Sequence, residues 1–171
     1  METLFITGGA GFIGSNFLTR IIKSGNTRIV NYDKLTYAGN LDTLHSVEND
    51  PNYFFVEGDI CNQELVRKTL VENEVDSIVN FAAESHVDRS IESPDDFIQT
   101  NIVGTFRLLQ ASRDYWNGLK EKKNTATKIF VFFMFPLMKY MGRSVTAVLL
   151  LKKHLTHQTL LMRHQKLLQT I

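Results

Sequence analysis

A glycine-rich stretch near the N-terminus, Thr7–Ser15, constrains the fold of this chain more than any other part of the sequence. It follows the short apolar run Leu4–Ile6 and opens a segment with helical apolar periodicity, which predicts a strand, a tight turn and a helix. Gly8 permits the turn, Gly11 lets a diphosphate approach the backbone, and Gly14 lets the helix pack close to the strand. Free N–H groups at the start of the helix favour phosphate, so the stretch predicts a dinucleotide-binding turn.

An acidic residue follows at a distance that suits this interpretation. Asp33 closes the second predicted strand, 19 residues after Gly14. In dinucleotide-binding folds an acid at this place accepts hydrogen bonds from the hydroxyls of the adenosine ribose, and it repels a 2′-phosphate. Asp33 therefore favours NAD over NADP. The alternative is an aspartate that only stabilises a turn or caps a helix.

Strands and helices alternate along the first three quarters of the chain. Strands are predicted at about 2–7, 28–33, 53–56, 75–81 and 128–135, and helices at about 12–24, 41–48, 62–72 and 94–116, the last one stopping at Gly118. This alternation predicts an α/β fold, a doubly wound parallel sheet of the Rossmann type with helices on both faces. The alternation ends after strand five, so we expect a sheet truncated after about five strands, with an open side at strand five.

Polar residues follow the third and fourth predicted strands, at the edge where cofactors bind in parallel sheets. Asp59 follows strand three and is placed to meet an adenine amino group, although it is equally well explained as the N-cap of the next helix. The stretch Ala82–Ser90 follows strand four. Its two alanines leave room for a nicotinamide ring, and its polar residues crowd the same crevice.

Four segments together resemble one family. TGGAGFIGS at Thr7–Ser15, DKLTYAGN at Asp33–Asn40, the pair Asp59-Ile60 and AAESHVDRS at Ala82–Ser90 resemble the dTDP-glucose 4,6-dehydratases, which are extended short-chain dehydrogenase/reductase proteins. The resemblance covers about residues 1–132. The glycine motif is common to the superfamily. DKLTYAGN and AAESHVDRS are more specific, and UDP-glucose 4-epimerases and GDP-mannose dehydratases usually differ there.

The resemblance implies NAD as the cofactor and dTDP-glucose as the substrate. With the three glycines Gly8, Gly11 and Gly14, the implied cofactor contacts are Phe12, Ile13, Asp33, Lys34, Leu35, Thr36, Asp59, Ile60, Phe81, Ala82, Ala83, Glu84, Ser85 and Thr100. The implied substrate contacts are Ser85 and Arg89. The family reaction moves a hydride from sugar C4 to NAD, eliminates water across C5–C6 and returns the hydride to C6, which gives a 4-keto-6-deoxy nucleotide sugar.

The catalytic groups of that family are missing after strand five. The resemblance implies a Thr-Asp-Glu run there and a Tyr-x-x-x-Lys pair on the next helix, whose tyrosinate takes the proton of the sugar 4-hydroxyl. The chain instead reads PLMKYMG over Pro136–Gly142, and Tyr140 is followed four residues later by Ser144. The sequence therefore offers no catalytic residue, and we expect this chain to lack dehydratase turnover alone.

The composition changes abruptly at the same place. Residues 1–128 contain all 18 Asp and Glu against 13 Lys and Arg. Residues 129–171 contain no acid, six Lys and Arg, and one of the ten Gly. Such a shift normally marks a boundary between two parts of a chain.

The genetic code offers an explanation for the change. If the third base of each codon is read with the first two of the next, Met134-Phe135 must give Val, Met138-Lys139 must give Glu and Met141-Gly142 must give Gly. The codons between these pairs allow the shifted reading V-S-T-D-E-V-Y-G, which contains the Thr-Asp-Glu run. The codons of residues 147–171 allow a shifted reading that contains Y-x-x-x-K. Our hypothesis is that 1–132 is an incomplete NAD-binding domain and 133–171 an out-of-frame tail. The alternative is a real basic helix, in which Val148–Leu151 and Leu160–Leu168 carry leucines at partly helical spacing, suited to a membrane surface or a partner.

Net charge and cysteine content indicate which partners and which cellular compartment suit this chain. A net charge of +1 gives no case for nucleic acid or membrane binding, and no apolar run reaches the ~18 residues of a membrane span. One cysteine, Cys61, and no secretory leader predict a cytoplasmic protein. Two further functions stay open: a non-catalytic NAD-binding module or pseudoenzyme, and a UDP-sugar epimerase. The homodimer of the family is doubtful here, because half of its helical interface lies in the lost Tyr/Lys helix.

Overall fold

Six strands form one sheet in the computed structural model, which describes residues 1–85, 94–121, 130–134 and 147–151. They are β1 (Glu2–Thr7), β2 (Thr27–Asp33), β3 (Tyr53–Glu57), β4 (Ser77–Asn80), β5 (Phe130–Met134) and β6 (Ala147–Leu151). Their order across the sheet is β3-β2-β1-β4-β5-β6. Strands β1 to β5 pair in parallel, so the predicted doubly wound α/β sheet is confirmed.

The helices fall between the strands, with three differences from the prediction, the first being that a π-helical segment divides the helix predicted at 94–116. They are α1 (Phe12–Lys23), a 3₁₀ turn (Leu41–Leu44), α2 (Gln63–Glu72), α3 (Pro94–Ile98), a π-helical segment (Gln99–Gly104) and α4 (Thr105–Glu121). The predicted helix at 41–48 is only the 3₁₀ turn. The predicted stop at Gly118 is wrong, since α4 continues to Glu121. Glycine inside a helix costs only about 1 kcal/mol, and the packing of the next residue, Leu119, against the core offsets that cost.

Two apolar cores cover the two faces of the sheet. Successive residues of a strand point to opposite faces, so Leu4 and Ile6 of β1 join one core and Phe5 joins the other. The first core contains buried residues of α1, and the second contains buried residues of α2 and α4. Both faces are therefore apolar along β1, as expected for a parallel strand between two helical layers.

The outer edge of β5 is paired, which corrects the expectation of an open side there. β6 runs antiparallel to β5, from Phe130 opposite Leu151 to Met134 opposite Ala147. Residues 148–151, whose leucines had suggested a helix, lie in this strand; the rest of that suggested helix lies outside the described residues. Strand pairing satisfies backbone N–H and C=O groups that an open edge would expose. The apolar run at 148–151 is too short to distinguish a helix from a strand, so this pairing decides its structure.

The order of the strands places a crevice at one point of the sheet. From β1 the chain moves outward through β2 to β3, and from β4 it moves the other way to β5. The two directions part between β1 and β4, where ligands bind at the carboxyl ends of strands in open α/β sheets. None of the helices within the described ranges has the length and hydropathy needed to cross a membrane.

Candidate functional site

An open cleft of about 570 Å³ lies at the carboxyl ends of β1 to β4. Its lining combines backbone of the glycine turn, polar residues after β2 and β3, and small residues after β4. The lining residues are Gly8, Gly11, Tyr32, Asp33, Lys34, Thr36, Ala38, Gly39, Gly58, Asp59, Ile60, Phe81, Ala82, Ala83, Glu84 and Thr100. The cleft thus coincides with the crevice that the strand order creates.

The glycine turn has its shape because side chains would collide there. Gly8 has φ +68°, and a Cβ on it would lie 2.5 Å from the backbone nitrogen of Ala82. A Cβ on Gly14 would overlap the carbonyl oxygen of Gly8, so Gly14 brings α1 against the turn rather than against the strand as predicted. Among the described residues, a Cβ on Gly11 would meet only that carbonyl oxygen, at 3.3 Å. Gly11 therefore leaves its open side to the cleft.

Asp33 is held rigidly at the end of β2. Its side chain is almost buried, with Oδ2 accepting the N–H of Ala10 and Oδ1 accepting the N–H of Leu35, both at 2.9 Å. The second bond is an aspartate turn, so the structural role considered for this residue is present. Each carboxylate oxygen can accept a further hydrogen bond, however, and Asp33 lines the cleft. The ribose role stays compatible with this geometry.

Asp59 is not the cap of the following helix, and that alternative is wrong. The N-cap is Asn62, whose side chain accepts the N–H of Leu65 at 3.1 Å. Asp59 instead makes a turn, in which Oδ1 accepts the N–H of Cys61 at 2.8 Å. Because this turn precedes α2, the helix begins after Asp59 in the chain. The second carboxylate oxygen of Asp59, Oδ2, pairs with the Lys34 ammonium at 2.7 Å.

Burial and pairing act in opposite directions on this carboxylate. Partial burial of Asp59 raises its pKa, but hydrogen bonds from Lys34 and from the N–H of Cys61 outweigh burial and leave the pKa below its ordinary value. The bond to Asp59 raises the pKa of Lys34. Burial raises the pKa of the Tyr32 phenol, which therefore stays protonated and donates to the carbonyl oxygen of Asp59 at 2.9 Å. The cleft thus contains a fully charged pair at neutral pH.

A side-chain amide fixes the loop after β4. The N–H of Glu84 donates to Oδ1 of Asn101 at 2.9 Å, and Nδ2 of Asn101 donates to the carbonyl oxygen of Glu84 at 2.8 Å. The Tyr37 hydroxyl reaches the Glu84 carboxylate across the cleft at 3.1 Å. Asn101 lies in the π-helical segment, and such segments frequently occur at functional sites. Asn101 was not predicted from the sequence, because no neighbouring residue indicates that its side chain pairs with the loop after β4.

We expect Asn101→Asp to destabilise the fold by about 2 kcal/mol, because the carboxylate still accepts from Glu84 but cannot donate to its carbonyl oxygen. Urea unfolding measures the change. Asn49→Asp is the matched control, since Asn49 is exposed and has only a 3.5 Å contact with Glu48. The control should shift the unfolding free energy by less than about 0.5 kcal/mol. Equal effects of the two substitutions would contradict a role for the paired amide.

The structure brings most of the predicted site residues together. Those that line the cleft are Gly8, Gly11, Asp33, Lys34, Thr36, Asp59, Ile60, Phe81, Ala82, Ala83, Glu84 and Thr100. Gly14 is buried and Leu35 partly buried, and neither lines the cleft, while Phe12, Ile13 and Ser85 are exposed outside it. Arg89 lies outside the described residues. Tyr32, Ala38, Gly39 and Gly58 line the cleft without having been predicted, although Ala38 and Gly39 belong to the DKLTYAGN stretch. The binding roles stay predictions.

Known proteins resemble this chain over the same region. Residues 5–131 match the family model described as GDP-mannose 4,6 dehydratase. A dTDP-glucose 4,6-dehydratase from Xanthomonas campestris pv. campestris (strain B100) is 55% identical over 126 residues, which are 74% of this chain and 36% of that protein. The chain therefore spans little more than a third of the length of this curated relative.

Solved structures show the same relationship. DesIV, a dTDP-glucose 4,6-dehydratase from Streptomyces venezuelae crystallised with NAD bound, has a TM-score of 0.64 and 44% identity over 67% of this chain and 36% of its own. A UDP-glucose 4-epimerase from Brucella ovis in complex with NAD has a TM-score of 0.59 and 31% identity over 67% of this chain and 33% of its own. The resemblance to dTDP-glucose 4,6-dehydratases predicted from the sequence is confirmed.

Proposed function

The chain belongs to the GDP-mannose 4,6-dehydratase family, and from this premise we propose that its first 132 residues bind NAD as the cofactor part of a dTDP-glucose 4,6-dehydratase. One observation carries the proposal: the backbone of Gly8 and Gly11 and the carboxylate of Asp33 line a single cleft at the point where the strand order reverses. Glycine backbone suits a diphosphate, and a fixed carboxylate suits ribose hydroxyls.

The residues present fit this cofactor. Gly11 leaves free space where a side chain would block a diphosphate, and Asp33 keeps unused acceptor positions. Asp59 lies beside them with a carboxylate for an amino group of a base. Ala82 and Ala83, after β4, leave room for a flat ring at the other end of the cleft. When bound, NAD supplies the hydride acceptor and donor of a sugar oxidation and reduction.

Titration of the whole chain with NAD⁺ by isothermal calorimetry tests the proposal. We expect saturable binding of one NAD⁺ per chain, weakened about tenfold or more by Asp33→Ala, which removes the ribose acceptor. Glu72→Gln is the control, because Glu72 lies at the far end of α2 and pairs only loosely with Lys68, at 3.8 Å. No binding by the folded chain, or equal affinity of the two variants, would refute the proposal.

We also propose that residues 133–171 are an out-of-frame tail and that the chain alone does not turn over. The family match ends at residue 131, where the composition changes, and residues 136–142 lack the Thr-Asp-Glu run. Sequencing the gene across codons 128–136 is the direct test. We expect a base gained or lost there relative to the family reading. An uninterrupted frame, with tail peptides of the printed sequence found by mass spectrometry, would exclude a sequencing error.

The other functions are separated by the same measurements. NAD⁺ binding without turnover is expected for this proposal and for a non-catalytic NAD-binding module or pseudoenzyme alike; a base gained or lost at codons 128–136 would favour the first. An epimerase is disfavoured because identity is 31% to the Brucella ovis epimerase and 55% to the Xanthomonas dehydratase. Incubation with UDP-glucose and analysis for the 4-epimer would detect epimerase activity directly, and we expect none.

A further inference from the structure

We propose that Asp59 helps to exclude NADP from the cleft by holding the Lys34 ammonium, the one ammonium among the described lining residues, so that it is not available to the ribose 2′-position. The inference rests on the proposed NAD function and assigns part of the cofactor choice to a residue other than Asp33. The ligands concerned are NAD and NADP, two dinucleotides that differ by one phosphate on the adenosine ribose.

The charges that line the cleft point to this role. Among the described lining residues there are three carboxylates, Asp33, Asp59 and Glu84, and a single ammonium, that of Lys34. A phosphate monoester carries between about one and a half and two negative charges at neutral pH. With three carboxylates in its lining, the cleft strongly disfavours a 2′-phosphate unless the ammonium is available to it.

The geometry makes the ammonium unavailable. Lys34 follows Asp33 directly in the chain, but its Nζ is 2.7 Å from Oδ2 of Asp59. Asp59 is fixed at two further points, because Oδ1 accepts the N–H of Cys61 and its carbonyl oxygen accepts the hydroxyl of Tyr32. Asp59 therefore stays in place, and its charge cancels that of the ammonium. The Lys34 side chain is 56% exposed, so breaking the pair leaves it free to move in the open cleft.

Asp33 alone does not account for the exclusion. Its removal takes away one repulsive charge and frees the N–H groups of Ala10 and Leu35, which can then donate to phosphate oxygens. The ammonium of Lys34 still remains bound to Asp59. A strong gain in NADP affinity should therefore require loss of both carboxylates, and it should require Lys34.

The test is the ratio of NADP⁺ to NAD⁺ affinity, measured by calorimetry on the whole chain. In the Asp33→Ala background, adding Asp59→Asn should raise the relative affinity for NADP⁺ about tenfold, as expected for one ammonium released near a phosphate. Any loss of an adenine contact affects both dinucleotides equally and cancels in the ratio. Adding Lys34→Gln should remove the gain, and Asp59→Glu, which keeps a carboxylate partner, should not produce it.

Glu72→Gln in the same background is the matched control, since it releases Lys68 from an exposed pair away from the cleft, and the ratio should not move. Far-ultraviolet circular dichroism checks folding, and Asp33→Asn replaces Asp33→Ala if the latter does not fold. A ratio that is unchanged by Asp59→Asn in a folded chain that binds NAD⁺ would overturn this inference and leave the proposed function standing. If the wild-type chain binds no NAD⁺, the proposed function and this inference both fall.

Discussion

Gly8→Ala is expected to lower the free energy of unfolding by about 3 kcal/mol and to abolish NAD⁺ binding. Two effects add. Gly8 has φ +68°, which costs a residue with a side chain roughly 1–2 kcal/mol. A Cβ there would also lie 2.5 Å from the nitrogen of Ala82 and 2.7 Å from the carbonyl carbon of Phe81, and both are backbone atoms that cannot rotate away. The end of β4 must move, and it forms part of the cleft.

Two other glycines separate these effects. Gly25 also has positive φ, but a Cβ on it would meet no described atom within 4 Å. Gly25→Ala therefore reports the cost of the backbone strain alone, about 1 kcal/mol. Gly118 lies inside α4, where a Cβ would meet none of the atoms that the structure describes within 4 Å, and Gly118→Ala should stabilise the chain by about 0.5–1 kcal/mol. Urea unfolding of the three variants gives the ranking, and NAD⁺ titration gives the binding. A Gly8→Ala variant no less stable than Gly25→Ala would contradict the predicted collision.

The parts of the fold that could be predicted are those fixed by local sequence. The glycine turn, the apolar strands and the position of Asp33 each follow from spacing within a few residues, and the parallel order follows from their alternation with helices. Gly11 and Asp33 therefore could be assigned to one site before any contact was known. Their meeting depends only on the carboxyl ends of parallel strands sharing one edge.

The parts that could not be predicted depend on partners far away in the chain. Asp59 has the sequence position of a cap, and its pairing with Lys34 follows only from the adjacent positions of β2 and β3. Asn101 is one asparagine among several, and its partner Glu84 lies 17 residues away in the loop after β4. The continuation of α4 through Gly118 and the pairing of β6 with β5 likewise reflect tertiary contacts, which override weak local preferences.

The 171-residue chain is expected to form no 4-keto-6-deoxy sugar from dTDP-glucose and NAD⁺ above a no-enzyme blank. Each acid or base group that acts on a proton in the transition state contributes roughly 10²–10⁴-fold, so loss of the family set should lower turnover by more than about 10⁴-fold. The groups concerned are the Thr-Asp-Glu run and the Tyr-x-x-x-Lys pair, neither of which occurs in residues 133–171. The absorbance of the keto sugar in alkali measures the product, with the Xanthomonas campestris relative as positive control.

A hybrid chain tests whether the defect lies in the tail alone. Residues 1–132 of this chain would replace the matched region of the Xanthomonas campestris protein, over which the two are 55% identical, and would be joined to the rest of that protein. We expect the hybrid to turn over, because its missing catalytic groups come from the relative, while the cofactor cleft and the predicted substrate contacts Ser85 and Arg89 come from this chain. Product formation by the 171-residue chain would refute the missing-group argument. A folded hybrid that binds NAD⁺ but makes no product would show instead that residues 1–132 carry a defect of their own, beyond the tail.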